Sequence, residues 1–222
     1  MMYYDKIGVA VDIVIFTIKD NDLKVILVKR KLSPFKDMWA IPGGFIREPE
    51  SIEAAAMREL MEETGVKDVY LEQLYTFGEP KRDPRGRIIT VAYFALADST
   101  KVKPIAKTDV YEAEWHSVYG LPKMLAFDHE EILKYALKRL RYKLEYTTVG
   151  FQLLPDRFTL TELQKVYETI LNRKLDKRNF RKKISSLSLL KASDDYKMEG
   201  AHRPARLYSF KEKEYIFPRG VI

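Results

Sequence analysis

A mixed α/β layered domain followed by a small, basic, two-helix domain is the architecture that the sequence predicts. Three observations carry it. Residues 7–118 hold a series of apolar, β-branched runs around a single strongly amphipathic helix pattern, and residues 159–187 hold two short helix patterns split by a tight turn. The charge is also unevenly divided: the last 72 residues contain 16 Lys+Arg against 9 Asp+Glu, whereas the first 150 contain 23 of each, so the whole net charge of +7 lies in the tail. A neutral large domain joined to a small basic one predicts a tail that meets a polyanion, with a solvated basic surface as the alternative on charge alone. We place the two domains at residues 1–146 and 147–222.

Composition narrows the function classes. With 222 residues and 46% hydrophobic content the chain is long and apolar enough for two packed cores. The apolar run from Ile7 to Phe16 is interrupted by Asp12 and too short to cross a bilayer, and Met1 to Lys6 has no signal-peptide pattern, so a cytoplasmic protein without a membrane partner is expected. The absence of cysteine excludes disulfides, thiolate metal sites and cysteine nucleophiles, leaving oxygen and histidine for any metal.

Taken in order, Gly8 to Lys19 and Leu23 to Lys31 read as strands joined in a hairpin at Asp20-Asn21-Asp22. Trp39 to Ile46 reads as a short strand containing a Gly-Gly pair. Ser51 to Thr64 carries alanine and leucine on one side and glutamate on the other, with Ser51 placed to cap its start and Gly65 to stop it. Strands follow at Val69 to Phe77, Arg87 to Leu96 and Val110 to Val118, and a helix with a basic outer face at Glu130 to Leu144. Between Tyr146 and Phe158 the pattern lapses around Gly150 and Pro155, as in a connector.

The strongest signal lies between residues 43 and 66. Gly44, five residues, Glu50, seven residues and then Arg58-Glu59-Leu60-Met61-Glu62-Glu63-Thr64-Gly65-Val66 meets a fixed pattern whose chance occurrence is below about one in a million. Glu59, Glu62 and Glu63, at i, i+3 and i+4, project from one helical face, where like charges repel unless cations neutralise them; such clusters favour hard ions such as Mg²⁺ or Mn²⁺. Ala55, Ala56 and Leu60 would seat the helix on the sheet, and Arg58, one turn before Glu62, is placed to orient a carboxylate. This stretch resembles the Nudix box. The resemblance implies an α/β/α sandwich with a mixed sheet, catalytic roles for Arg58, Glu59, Glu62 and Glu63, and metal ligation by the three glutamates and the Gly43 carbonyl. It also implies a phosphate-facing Pro42-Gly43-Gly44 loop, and hydrolysis of a nucleoside diphosphate linked to another group, with the metal activating water. Glu112 and Glu114 are candidate general bases outside the box.

The turn Lys81-Arg82-Asp83-Pro84-Arg85-Gly86-Arg87 packs four cations before a strand, so Arg82, Arg85 and Arg87, with Gly44, are candidate ligand contacts, a solvated loop being the alternative. That turn and Leu125-Ala126-Phe127-Asp128-His129 are similar to stretches of ADP-ribose pyrophosphatase domains, which implies ADP-ribose or a related nucleotide sugar as ligand. His129 alone reads as a helix-start residue. Phe45, Phe77 and Tyr93 could stack on a base, with core packing the alternative for each.

In the tail, Thr159-Leu160-Thr161-Glu162 has the form of a capping box ahead of a helix, and Asp176 can cap a second in which Phe180, Ile184 and Leu187 face inward. Lys177, Arg178, Asn179, Arg181, Lys182 and Ser185 fall on its other face. That suits the recognition helix of a helix-turn-helix, with arginine and asparagine reading base edges and lysine meeting phosphate. Leu189 to Ala192 and Leu207 to Lys211 read as strands around a basic wing with Lys197, His202, Arg203 and Arg206. A helical cap for the first domain or for a dimer is the alternative. In this order the two domains resemble Nudix-related transcriptional regulators (NrtR-like), above all along Gly150 to Pro155 and Leu175 to Lys182. That resemblance implies a homodimer on a palindromic double-stranded DNA operator, responding to a ligand such as ADP-ribose. Many such regulators have an eroded box and this chain keeps every catalytic position, so a housekeeping ADP-ribose pyrophosphatase with a structural tail stands as the second reading.

Overall fold

A computed structural model describes residues 7–65, 69–100, 102, 104–105, 110–198 and 204–211. These residues form two compact units, with the main division inside one helix, between Leu137 and Lys138, and with Asp20–Asp22 grouped with the second unit.

The first unit is built on a seven-stranded mixed sheet. β1 (Gly8–Lys19) and β2 (Asp22–Arg30) meet at a turn where Asp20 and Asn21 take positive φ, a conformation their short polar side chains tolerate. Around them lie β3 (Trp39–Ala40), β4 (Gly43–Phe45), β5 (Tyr70–Phe77), β6 (Ile88–Leu96) and β7 (Val110–Ser117). β1 runs parallel to β6, from Gly8 opposite Ile88 to Phe16 opposite Leu96, and antiparallel to β4, with Asp12 opposite Gly43. The single strand expected over Trp39 to Ile46 is two: β3 pairs with β2 and β4 with β1, so the chain changes neighbour at Ile41-Pro42. Proline, which lacks an amide donor, suits that crossing point.

α1 (Ile52–Thr64) starts where the Ser51 hydroxyl accepts the Ala54 amide at 3.1 Å and ends at Gly65, φ 71°. Ala55, Ala56 and Leu60 pack it onto Val11, Ile13, Ile15, Val91 and Ala95. Residues of β1 that alternate with these, Val14 and Phe16, are also fully buried, so the strand is covered on both faces and reads as a continuous apolar run rather than an alternating one. α2 (His129–Tyr146) begins in this unit, with Tyr135 stacked on Tyr75 of β5 at 5.2 Å between ring centres.

In the second unit, β8 (Phe158–Thr159), α3 (Leu160–Leu171), α4 (Lys177–Ser186), β9 (Leu190–Lys197) and β10 (Ala205–Phe210) make a winged helix with sheet order β8-β10-β9. The capping box is present: the Thr159 hydroxyl accepts the Glu162 amide, and the Glu162 carboxylate accepts the Thr159 amide. The segment expected as a plain connector is instead a 3-10 helix, Val149–Leu153, with Val149, Gly150, Phe151 and Leu153 buried. Phe151 and Phe158 stack on Phe210 at 4.3 and 4.6 Å, so the connector supplies part of the core. Sequence periodicity misses such a piece because five residues span too few turns to show a stripe.

Tyr167 is fully buried against Phe180 and Phe151, its hydroxyl has no hydrogen-bond partner among the described residues, and burial pushes its pKa up. An unsatisfied buried hydroxyl costs about 1–3 kcal/mol. Tyr167→Phe is therefore expected to raise stability by about 1 kcal/mol, read as a higher urea midpoint; a lower midpoint would mean that the hydroxyl has a partner.

Candidate functional site

The site begins with two glycines. A side chain on Gly43 would run into the Val11 carbonyl and lie 2.7 Å from Asp12 Oδ1, and one on Gly44 would collide with the Glu59 carboxylate. Both are therefore required by close approach, and neither by a special φ. The pairing of β4 with β1 thus lays a bare backbone directly on the carboxylate face of α1.

On that face Glu59 is 4% and Glu63 2% exposed, while the Glu62 side chain is 36% exposed. Arg58 ties them to the loop. Its Nε and NH2 donate to Glu50 at 2.9 and 2.7 Å, NH2 reaches the Phe45 carbonyl at 3.3 Å, and NH1 contacts Glu59 Oε1 at 2.5 Å. NH1 also lies 3.5 Å from Glu62, which Arg47 approaches at 3.7 Å. The Arg58 hydrogen bond, aided by the Arg47 amide, lowers the Glu50 carboxyl to about 2 against an opposing burial effect. All-oxygen donors on adjacent turns, two of them buried, fit a hard divalent cation by type. Among the described residues no three acidic or histidine side chains are already gathered at metal-binding distance.

A cavity of about 190 Å³ opens beside this face. Asp12, Gly43, Gly44 and Glu63 line one side. Arg82 and His129 line it too, joined in a buried network: Arg82 forks onto Asp128 at 2.8 and 2.6 Å and lies 3.5 Å from Asp12. The Ile41 amide donates to His129 Nδ1 at 2.8 Å, which leaves the proton on Nε2, 3.7 Å from Asp12 Oδ1; burial lowers the His129 pKa and keeps the ring neutral. Arg85, which also lines the cavity, lies over the rings of Phe45 and Phe127. Phe127 sits at φ 54°, a backbone state that costs a bulky residue about 1–3 kcal/mol and persists only where its surroundings enforce it.

Of the sequence-predicted contacts, Gly44, Arg82 and Arg85 line the cavity, although the donors of Arg82 are engaged by Asp128. Arg87 does not line it; it is exposed and donates to the Gly78 carbonyl. Glu112 and Glu114 lie exposed on β7, beside Lys29 and His116, and neither lines the cavity. Phe77 and Tyr93 are buried, as core packing requires, whereas Phe45 is 44% exposed. Sequence reasoning assigned no individual functional role to Asp12, Asp83, Phe127 or His129. Asp12 left a signal as the charge that breaks the first apolar run, and the other three lie in the two stretches whose resemblance pointed to the ligand.

In the winged helix, Asp176 caps α4 by accepting the Asn179 amide at 2.8 Å. Phe180 and Ile184 face inward, and Lys177, Arg178, Asn179, Lys182 and Ser185 are exposed. Arg181 departs from the expected outer face. It flanks the buried stripe, is half-buried, and donates to the Thr161 hydroxyl at 3.2 Å. Arg203 and His202 lie outside the described residues. Two cations of the wing are paired: Lys197 lies 2.6 Å from Glu162, and Arg206 donates to the Ser193 carbonyl and approaches Asp194.

A Nudix-type unit joined to a winged helix is the class of protein that fold and site define, and comparison with known proteins agrees. Residues 6–136 match the NUDIX domain family and residues 150–210 the NrtR DNA-binding winged helix domain. The chain is 39% identical, over 94% of its length and 84% of the relative's, to the ADPR responsive transcriptional repressor NtrR of Acinetobacter baylyi. It superimposes on Shewanella oneidensis NrtR complexed with a 27mer DNA with TM-score 0.83, 39% identity and coverage of 91% of this chain and 93% of that one. The first unit is similar to the Nudix domain of the same Shewanella protein complexed with ADP ribose (TM-score 0.56, 40% identity, 62% of this chain, 90% of that one). It is also 42% identical to the ADP-ribose pyrophosphatase of Methanocaldococcus jannaschii, over 57% of this chain and 71% of that one. The chain belongs to the NrtR family of Nudix-related regulators. Among its described residues no helix is long and apolar enough to cross a membrane.

The depressed Glu50 pKa sets a pH window. Stability from the Glu50–Arg58 fork is fully present above the ordinary carboxyl value of 4.5 and is lost as pH falls through about 2. Arg58→Met is expected to move the onset of acid unfolding upward, toward pH 4.5, in a circular-dichroism titration. Coincident transitions for variant and wild type would show that the fork contributes nothing.

Proposed function

We propose that this chain is a ligand-responsive DNA-binding transcriptional regulator, with residues 1–146 receiving ADP-ribose or a related nucleotide sugar and residues 147–222 receiving an operator. The observation that carries this reading is a single chain that joins an intact Nudix carboxylate face to a winged helix with an open basic α4, aligned over most of the length of a repressor described as ADPR-responsive. The Nudix half of the Shewanella protein complexed with ADP ribose supports the choice of ligand.

In the first unit, Glu59, Glu62, Glu63 and the Gly43 carbonyl would hold a divalent cation, Mg²⁺ or Mn²⁺. When bound, such an ion neutralises a diphosphate and activates water. Arg58 keeps Glu59 oriented, the glycines allow phosphate to approach the backbone, and Arg85 lies at the rim where a phosphate can be met. In the second unit Lys177, Arg178, Asn179 and Lys182 stand on the open face of α4, and Arg181 steadies α4 against α3 through Thr161. A homodimer would set two such helices on a two-fold operator. ADP-ribose would change operator affinity only through unequal affinity for two dimer states. A protein with this partner works in the cytoplasm.

The complete set Glu59, Glu62 and Glu63 and the likeness to an ADP-ribose pyrophosphatase support a second reading, hydrolysis of the ligand, which the same molecule can carry alongside regulation. Wild type and Glu63→Gln separate the two. Wild type is expected to retain duplex DNA in a salt-sensitive manner, to change that retention on addition of ADP-ribose, and to release AMP from ADP-ribose with Mg²⁺. Glu63→Gln is expected to lose the hydrolysis and keep the DNA. Retention no better than a neutral control, or operator affinity unmoved by saturating ADP-ribose, would overturn the regulator. On the operator, Arg178→Ala is expected to cost about 1–3 kcal/mol and to relax base preference, whereas Lys177→Ala lowers affinity for all sequences alike. Equal, sequence-independent losses would remove Arg178 from base reading.

A further inference from the structure

The cavity has two chemically different walls. Asp12, Glu63 and the Gly43-Gly44 backbone form one, suited to a diphosphate carried with a cation. On the other an arginine is interleaved with two phenylalanines: the Arg85 guanidinium carbon lies 5.1 Å from the ring centre of Phe45 and 5.2 Å from that of Phe127. Phe45 belongs to no core cluster, and Phe127 is only half-buried, packing on the small cluster of Val28, Ala40, Val110 and Ala126 while it still lines the cavity. Phe45 ends β4 half in solvent, directly after the glycine loop, and Phe127 is held at positive φ with Phe35 edge-on at 4.7 Å. Aromatic rings kept at the mouth of a polar cavity offer stacking faces, and a guanidinium, flat and delocalised, stacks there much as a nucleobase does.

We infer that Arg85 is a placeholder: its guanidinium fills the slot between Phe45 and Phe127 into which the base of the bound nucleotide inserts, so that ligand entry must expel it. This rests on the reading of the first unit as a nucleotide-binding domain. The loop is built to survive the exchange. The Arg85 side chain forks onto Asp83, with NH2 at 2.6 Å and Nε at 3.0 Å, but the Arg85 amide also donates to Asp83 Oδ1 at 2.9 Å, and that bond does not depend on where the guanidinium lies. Arg82 remains beside Asp83 to balance its charge. The Arg30 guanidinium, over Phe127 at 4.8 Å, is by contrast anchored to the Pro34 and Leu32 carbonyls and stays. Once expelled, the Arg85 cation is still tethered at the rim, within reach of a phosphate. Base selectivity is then the difference between stacking gained by the ligand and stacking given up by Arg85, a term that a ligand without a base never meets.

AMP and ribose 5-phosphate differ only in the base, so the ratio of their affinities isolates the slot from phosphate binding. Calorimetric titrations with Mg²⁺ use the full chain as wild type, Arg85→Ala, Arg85→Lys and Phe45→Ala. Emptying the slot is expected to raise the AMP to ribose 5-phosphate ratio about five-fold in Arg85→Ala, the loss of one cation–π competitor, and by a smaller factor in Arg85→Lys, whose ammonium lacks the flat stacking face, and Phe45→Ala is expected to lower it. The lysine variant keeps a cation near Asp83 and so guards against loss of folding. A ratio that is unchanged or falls in both Arg85 variants would make Arg85 a simple phosphate clamp and overturn the placeholder. Wild type that binds ADP-ribose, with a ratio unchanged or lowered in both Arg85 variants, leaves the nucleotide-binding reading standing and removes the placeholder alone; wild type that binds none of the three ligands removes both.

Discussion

Burying carboxylates against bare backbone is the constraint around which the first unit is arranged. Glu59 and Glu63 cannot be taken out of water next to one another without compensation. The fold supplies part of it through Arg58, which bridges Glu59 to Glu50 and to the Phe45 carbonyl. That bridge binds helix to loop, and the loop can lie so close only because residues 43 and 44 have no side chains. The register of β4 on β1 follows from the same demand, since it brings Asp12 opposite Gly43 and makes the strand that carries the core also carry a cavity wall.

The two units handle cations in opposite ways. Around the cavity the arginines are paired: Arg58 with Glu50 and Glu59, Arg82 with Asp128, Arg85 with Asp83. Arg58 and Arg82, whose side chains are little exposed, hold fixed positions, so a ligand meets a preorganised surface there, whereas the more exposed Arg85 is the one that can exchange partners. The open face of α4 instead presents Lys177, Arg178 and Lys182 to solvent, where cations that neutralise phosphates release counterions. Within the same domain, Lys197 and Arg206 of the wing are held by Glu162 and Asp194.

Much of this was legible in advance because local patterns dictate local structure. The Ser51 cap, the Gly65 stop, the alanine stripe of α1 and the capping box at Thr159 all formed where their chemistry places them, since each is satisfied within one or two turns of helix. The box glutamates share a face for the same reason. Segments whose structure depends on distant partners were not legible: the crossing at Ile41-Pro42, the buried 3-10 turn under Phe210, and the inward lean of Arg181 toward Thr161.

The sequence by itself determined the class of each unit, the carboxylate face and the basic helix, because periodicity and spacing are properties of the chain. Only the tertiary structure decided which charges meet. It gathered Asp12, Arg82, Asp128 and His129 from β1, the turn before β6 and the start of α2, and it left Arg87, Glu112 and Glu114 outside the cavity. The reason is geometric: a buried ion pair requires two side chains to converge within a few ångströms after desolvation, and strand order and register, which set that convergence, are not encoded in any single segment.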